Sequence, residues 1–218
     1  MELEHTSTER LFATPLVRFR VNGHEALDAA LLAEGARLRA ENPGVEKSNR
    51  GGWHSEGNLF RHQTPAIQAL REAAEASVME AVREVTSKVD PGRLELKLFA
   101  WMNMNPPGGF NAPHTHPGAH WSGVYYVNQP AVEEGNSGMI EFLDPRSDLP
   151  NWRIFKAKTF RLKRKIRPAA GEIVVFPSYL VHWVYPNESG EERVTVAFNA
   201  TFSKPKDAAA DDDGDNDD

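Results

Sequence analysis

From Leu94 to Phe202 the chain breaks into short stretches of alternating or apolar residues, a pattern that no arrangement of helices accommodates. Side chains on an extended backbone point to opposite faces in turn, so a period of two marks a strand with one buried face. Leu94-Glu95-Leu96-Lys97-Leu98 alternates cleanly, and strand-like segments recur at about 114–116, 121–128, 138–143, 159–166, 171–176, 181–185 and 192–203. Turn signals such as Asn128-Gln129-Pro130 and Asp144-Pro145 separate them. Many short strands in series imply a sandwich or a barrel.

Upstream the period lengthens. His24 to Ala40 places Leu27, Ala30, Leu31 and Leu38 at helical spacing, with Glu34 interrupting the stripe, Gly35 weakening it and Pro43-Gly44 stopping it. Thr64 is positioned to cap a second helix that carries Pro65 in its first turn. Ile67, Leu70, Ala74, Val78, Ala81 and Val85 form its stripe, and it is predicted to run to about Val89. Leu11 to Val21 reads as a half-exposed strand that Pro15 sends to a sheet edge or a strand start. The expectation is one α+β, mainly β, domain over 1–206, helical at about 22–89 and β at about 94–203.

Composition narrows the chemistry. The chain has no cysteine, which removes disulfides, thiolate catalysis and cysteine zinc sites. No apolar run approaches the roughly 20 residues that cross a bilayer, and the polar start MELEHTSTER has no secretory character. A cytoplasmic protein is expected. The net charge of −6 is concentrated in the tail 207–218, which holds seven aspartates; without them 25 basic residues face 24 acidic ones. Such a block of like charge reads as a disordered tail. A basic strip, Arg153 to Arg167, carries eight basic residues and no acidic one. It lacks regularly spaced aromatics, so it reads as a solvated face and nucleic-acid binding is not expected.

The histidines suggest a site. In an extended segment His114 and His116, at i and i+2, share a face and can grip a transition metal. His182 follows a strand ending at Pro177, which puts it at the mouth of a sheet as the third ligand. His120 is an alternative to His116, and Asp144 or Glu141 could supply a carboxylate, although Asp144 before Pro145 suits a turn cap. His5, His24 and His62 read as ordinary surface histidines. Arg193 opens a strand in which Val194, Val196 and Phe198 face one way and Arg193, Thr195, Ala197 and Asn199 the other. Spacing alone favours solvent for that second row, with a carboxylate clamp as the alternative. The turn-rich loop Ser48 to Ser55 holds a Trp-His pair that suits either function or a Trp plugging the core. Trp101, Trp121 and Trp183 flank the motif strands and read mainly as packing.

HTH at 114–116, SGVYYVN, GEIVVFPSYLVHWVYP and ERVTVAFN, in that order, resemble the Fe(II)- and 2-oxoglutarate-dependent dioxygenases. More closely they resemble the subfamily with an HxHP…SGVYY…FPS…H…R pattern, and the resemblance runs from LFATP through SNRGGWHS to Phe202. It implies a double-stranded β-helix (a cupin-like jelly roll) with the N-terminal helices packed on one sheet. It implies Fe(II) held by His114, His116 and His182, with His116 where a carboxylate usually stands. It implies 2-oxoglutarate held by Arg193 and Tyr126, with Asn103 and Asn105 as further cosubstrate contacts. The implied reaction hydroxylates a C–H bond of a small-molecule or protein substrate and releases succinate and CO2; a homodimer is compatible. A three-histidine cupin-like enzyme that uses no 2-oxoglutarate, and a non-catalytic jelly-roll binding module, are the alternatives.

Overall fold

A computed structural model describes residues 5–7, 12–146, 154, 157 and 161–205. The acidic tail 207–218 and residues 153, 155, 156 and 158–160 of the basic strip lie outside the described residues. The elements in order are β1 (Val17–Arg20), α1 (Glu25–Glu41), β2 (Asn49–Arg50), β3 (Trp53–His54), α2 (Pro65–Val85), β4 (Glu95–Asn105), β5 (Phe110–His114), β6 (Trp121–Asn128), β7 (Ile140–Leu143), β8 (Lys163–Ile166), β9 (Glu172–Pro177), β10 (His182–Val184) and β11 (Arg193–Ser203). A six-stranded sheet has the order β1-β9-β6-β11-β4-β3, and a five-stranded sheet the order β2-β5-β10-β7-β8. From β4 onward the chain passes back and forth between the sheets, and the paired strands are antiparallel. This is the winding of a jelly roll.

Alternation within the larger sheet divides the interior in two. Tyr125, Ile173, Val175, Val194, Val196 and Phe198 face outward to Leu31 of α1 and to Ile67, Leu70, Ala74 and Val78 of α2. Their neighbours Tyr126, Val174 and Phe176 face inward, toward Ile140, Phe142, Ile166 and Val184 of the smaller sheet. Each period-two stretch thus feeds two cores, one against helices and one between sheets. The same alternation sends Met102 and Met104 to the helices and Trp101 and Asn103 to the space between the sheets.

Three local expectations change. The second helix ends at Val85, where Thr86 turns extended, rather than near Val89. Thr64 caps it with its backbone carbonyl, 3.1 Å from the Gln68 amide, while its hydroxyl is buried with no partner. Gly35 is not a weak point in α1: a Cβ there would meet Met102 Sδ at 2.5 Å, so glycine lets the helix lie close on β4. The edge position expected for the first strand is the one β1 occupies, beside β9.

His24, read as a surface histidine, instead joins a buried pair. Asp28 on α1 is buried; Tyr125 O–H donates to its Oδ1 at 2.5 Å and His24 Nδ1–H to its Oδ2 at 2.6 Å. Burial and then the bond to Asp28 raise the Tyr125 pKa, so the phenol stays a donor. The carboxylate fastens α1 to β6. Asp28→Ala leaves the buried Tyr125 hydroxyl without an acceptor and is expected to cost about 2–3 kcal/mol in urea unfolding. A loss below about 0.5 kcal/mol would show that water replaces the carboxylate without penalty.

Candidate metal centre

β5 and β10 pair with His114 directly opposite His182, so strand register brings together two side chains 68 positions apart. His116 lies beyond the end of β5, in non-strand backbone whose amide donates to Ser178 O at 3.0 Å. The pleat argument therefore does not place it; this tie to the β9–β10 connection does. The ring centroids stand 4.3 Å apart for His114 and His182, 4.9 Å for His114 and His116, and 5.2 Å for His116 and His182. One ring nitrogen from each lies within 4.8 Å of the others.

The tautomers are set by the backbone. His114 Nδ1–H donates to Ala112 O at 2.7 Å and His182 Nδ1–H to Leu180 O at 2.8 Å, which leaves Nε2 of each neutral ring unprotonated. Burial lowers all three pKa values, His116 to about 4 and His182 to about 3, with repulsion from neighbouring imidazoles adding to the effect in those two. Three neutral nitrogen donors at neutral pH are the state a divalent transition metal requires.

The alternative ligands are occupied elsewhere. His120 is exposed, and its Nδ1 accepts the Phe202 amide at 3.0 Å. Asp144 caps a turn by accepting the Arg146 amide at 2.9 Å and holds the Arg146 guanidinium at 2.7 Å. That guanidinium lowers the Asp144 pKa. Glu141 points away from Phe142, the neighbour whose ring faces His182, and its carboxylate meets Tyr185 O–H at 2.8 Å and Lys163 Nζ at 3.3 Å. Among the described residues no carboxylate joins the three imidazoles.

Arg193 overturns the solvent expectation drawn from spacing. It is 2% exposed, because the row opposite Val194, Val196 and Phe198 faces the second sheet rather than water. Its Nε–H donates to Gln129 Oε1 at 2.8 Å and its guanidinium lies 5.4 Å from the centre of the Tyr126 ring. No carboxylate among the described residues lies within ion-pairing distance of it. The Tyr126 hydroxyl is fully buried without a hydrogen-bond partner, and burial pushes its pKa up to about 12. Thr195 pairs with Asn103 on one side and Tyr126 on the other, and Arg193 pairs with Asn105. The Oδ1 atoms of Asn103 and Asn105 are likewise buried without partners. Arg193, Tyr126, Asn103 and the three imidazoles line one cavity; Asn105 sits one register step deeper and donates to Asn111 Oδ1 at 3.0 Å.

Four residues, Trp101, His54, Ser48 and Thr195, were not singled out as site residues from sequence. Trp101 lies against His116 with ring centroids 5.4 Å apart and planes tilted by 50°, and His54 stacks on Trp101 at 5.6 Å and 11°. The Ser48–Ser55 loop thus supports the site through His54, and Ser48 Oγ lies 3.5 Å from His114 Nε2. The Trp of the pair, Trp53, is structural, its Nε1–H donating to Asn42 O at 3.0 Å. The loop comes this close because a Cβ on Gly52 would fall 2.2 Å from Asn105 Oδ1. Thr195 had a usable signal, standing two residues after Arg193 on the same face.

Residues 99–199 match the model of a family described as "Putative 2OG-Fe(II) oxygenase". No curated protein matches the sequence. Among solved structures, a prolyl-4-hydroxylase from Pseudomonas putida superposes with a TM-score of 0.60 at 20% identity, over 89% of this chain and 95% of that one. A prolyl hydroxylase from Trichoplax adhaerens, in complex with a hypoxia inducible factor oxygen degradation domain peptide fragment, gives 0.57 at 12% identity over 91% and 87%. HygX from Streptomyces hygroscopicus, with nickel and 2-oxoglutarate bound, gives 0.58 at 11% identity over 86% and 83%. At these identities the structural likenesses establish the fold.

Proposed function

We propose, from the match of residues 99–199 to the 2OG-Fe(II) oxygenase family model, that His114, His116 and His182 hold Fe(II) while Arg193 and Tyr126 hold the far carboxylate of 2-oxoglutarate. The observation that carries the reading is Arg193: a buried guanidinium with no acidic partner among the described residues, in the same cavity as three neutral imidazoles. A buried charge is costly unless paired, and a bound carboxylate supplies the missing partner. The orphaned Tyr126 hydroxyl supplies a donor to the same group. A cupin-like enzyme without the cosubstrate, or a non-catalytic module, leaves both features unexplained.

Bound iron and 2-oxoglutarate would supply the oxidising chemistry, with one O2 consumed: one oxygen atom enters succinate as 2-oxoglutarate loses CO2, and the other turns a substrate C–H into C–OH. The chain's own residues position and exclude. Ala112 O and Leu180 O fix the tautomers of His114 and His182; Trp101, in contact with both His54 and His116, covers one side of the site. Asn103 and Thr195 offer polar contacts along the cosubstrate. The substrate, a peptide or a small molecule, enters beside Thr115 to Trp121 and Pro177 to Tyr179, which line an open groove reaching His116. No helix among the described residues is long and apolar enough to cross a membrane.

Anaerobic addition of Fe(II) and 2-oxoglutarate should produce a weak visible charge-transfer band, followed in air by slow succinate formation. Absence of both with iron-loaded protein would refute the assignment. Tyr126→Phe separates the cosubstrate role from packing. It removes an orphaned buried hydroxyl, so the ligand-free protein should gain up to about 1 kcal/mol, while 2-oxoglutarate affinity falls about tenfold. Calorimetric titration beside urea unfolding reads both; a variant that binds 2-oxoglutarate normally excludes Tyr126 from the cosubstrate site.

A further inference from the structure

The charges in the cavity are one-sided. Its three candidate ligands are neutral, Arg193 is its one permanently charged lining residue, and no Asp or Glu lines it. Nearby acidic groups are already engaged: Glu141 with Lys163 and Tyr185, Asp144 with Arg146, Glu172 with Arg18 and Arg20. A divalent ion therefore enters a space that already contains a buried guanidinium, with no anion among the described residues to offset either. Where a carboxylate would ordinarily balance part of the ion's charge, this chain has His116.

We propose that in this chain the dicarboxylate cosubstrate takes over the charge-balancing role of the absent protein carboxylate, so that metal and 2-oxoglutarate bind as one thermodynamic unit. The inference rests on the ligand roles given above and adds their coupling. Metal alone meets the repulsion of Arg193. The dianion alone has one cation to pair with. Together the dianion sits between two cationic centres, and by linkage each ligand must raise the affinity of the other by the same factor. Metal occupancy then follows the supply of 2-oxoglutarate, and the protein releases its metal when the dianion is scarce.

The full chain titrated anaerobically with Co(II), read by its visible spectrum, tests this with and without saturating 2-oxoglutarate. The reciprocal titration of 2-oxoglutarate with and without Co(II) is read by calorimetry. Each ligand is expected to tighten the other about 100-fold, near the upper end of ordinary coupling. Direct coordination couples the two in any such site, so the variants isolate the charge contribution. His116→Asp should tighten Co(II) alone, weaken 2-oxoglutarate and cut the coupling about tenfold. Arg193→Gln should weaken 2-oxoglutarate at least about tenfold while leaving the affinity for Co(II) alone equal or higher, an opposite pair of signs that misfolding does not produce. Independent binding of the two ligands, within about threefold, overturns the coupling and leaves the functional reading standing. Wild-type coupling unchanged in His116→Asp overturns the charge argument, and binding of neither ligand overturns both readings.

Discussion

His182→Ala is expected to reduce metal affinity by at least about 100-fold, more than the loss of an outer hydrogen bond to a ligand causes. His182 is the most constrained of the three imidazoles: 4% exposed, opposite His114 in the strand register, against the Phe176 ring at 4.8 Å and tied by Nδ1–H to Leu180 O. Nothing nearby replaces it, since His120 is engaged with Phe202 and Glu141 faces the other side of β7. The cost to the fold is smaller. Removing the ring opens a cavity and frees one carbonyl, worth about 2–3 kcal/mol by analogy with other large-to-small core changes. The variant should therefore stay folded by circular dichroism while Co(II) gives no tetrahedral or five-coordinate spectrum. His120→Ala should change the affinity less than about twofold. Retention of tight binding by His182→Ala would place the ligands elsewhere.

How far the sequence disclosed this site depends on what periodicity can say. Alternation identifies which residues share a face, and it assigned Arg193, Thr195 and Ala197 to one face correctly. It does not say what lies opposite that face, and for Arg193 a second sheet stands where solvent was expected. The helices were legible because propensity and apolar spacing agree, whereas the end of α2 was not, because Val89 continues the composition while Thr86 leaves the helix. β2 and β3, two residues each, carry no periodic signal and exist only through pairing with β5 and β4. His116 was expected for the wrong local reason: its convergence with His114 comes from the tie to Ser178 across the β9–β10 connection. His24 gave no warning of Asp28, because a helical i,i+4 pair looks the same whether it faces water or Tyr125. The resemblance supplied Tyr126, whose orphaned hydroxyl no spacing argument could find.

Acid should destabilise the metal-free protein well above the range in which carboxylates titrate. In the unfolded chain the imidazoles take up protons near pH 6.5. In the folded chain burial holds His116 at about 4 and His182 at about 3, and lowers His114 and His54 as well. Between these values the unfolded state binds more protons than the folded one, so stability rises with pH. It is therefore lost as pH falls from about 6.5 toward 4, and the loss levels off near 3 once the folded imidazoles protonate too. Discounted for partial exposure of His116, the drop from pH 7 to pH 5 should be about 3 kcal/mol, read as a lower urea midpoint. His182→Ala removes one of the responsible groups, so the slope over that window should shrink by about one proton. The same lowered values have an opposite consequence for metal binding. In the folded chain His116 and His182 are already neutral at pH 5, so a metal displaces few protons from them there, and Co(II) affinity should change less than about tenfold between pH 7 and 5. Exposed histidines with pKa near 6.5 would lose far more than that, because each ligand must first give up its proton. A urea midpoint that does not move between pH 7 and 5, together with metal affinity that collapses over the same interval, would mean that the three rings titrate as solvated histidines rather than as a buried, neutral ligand set.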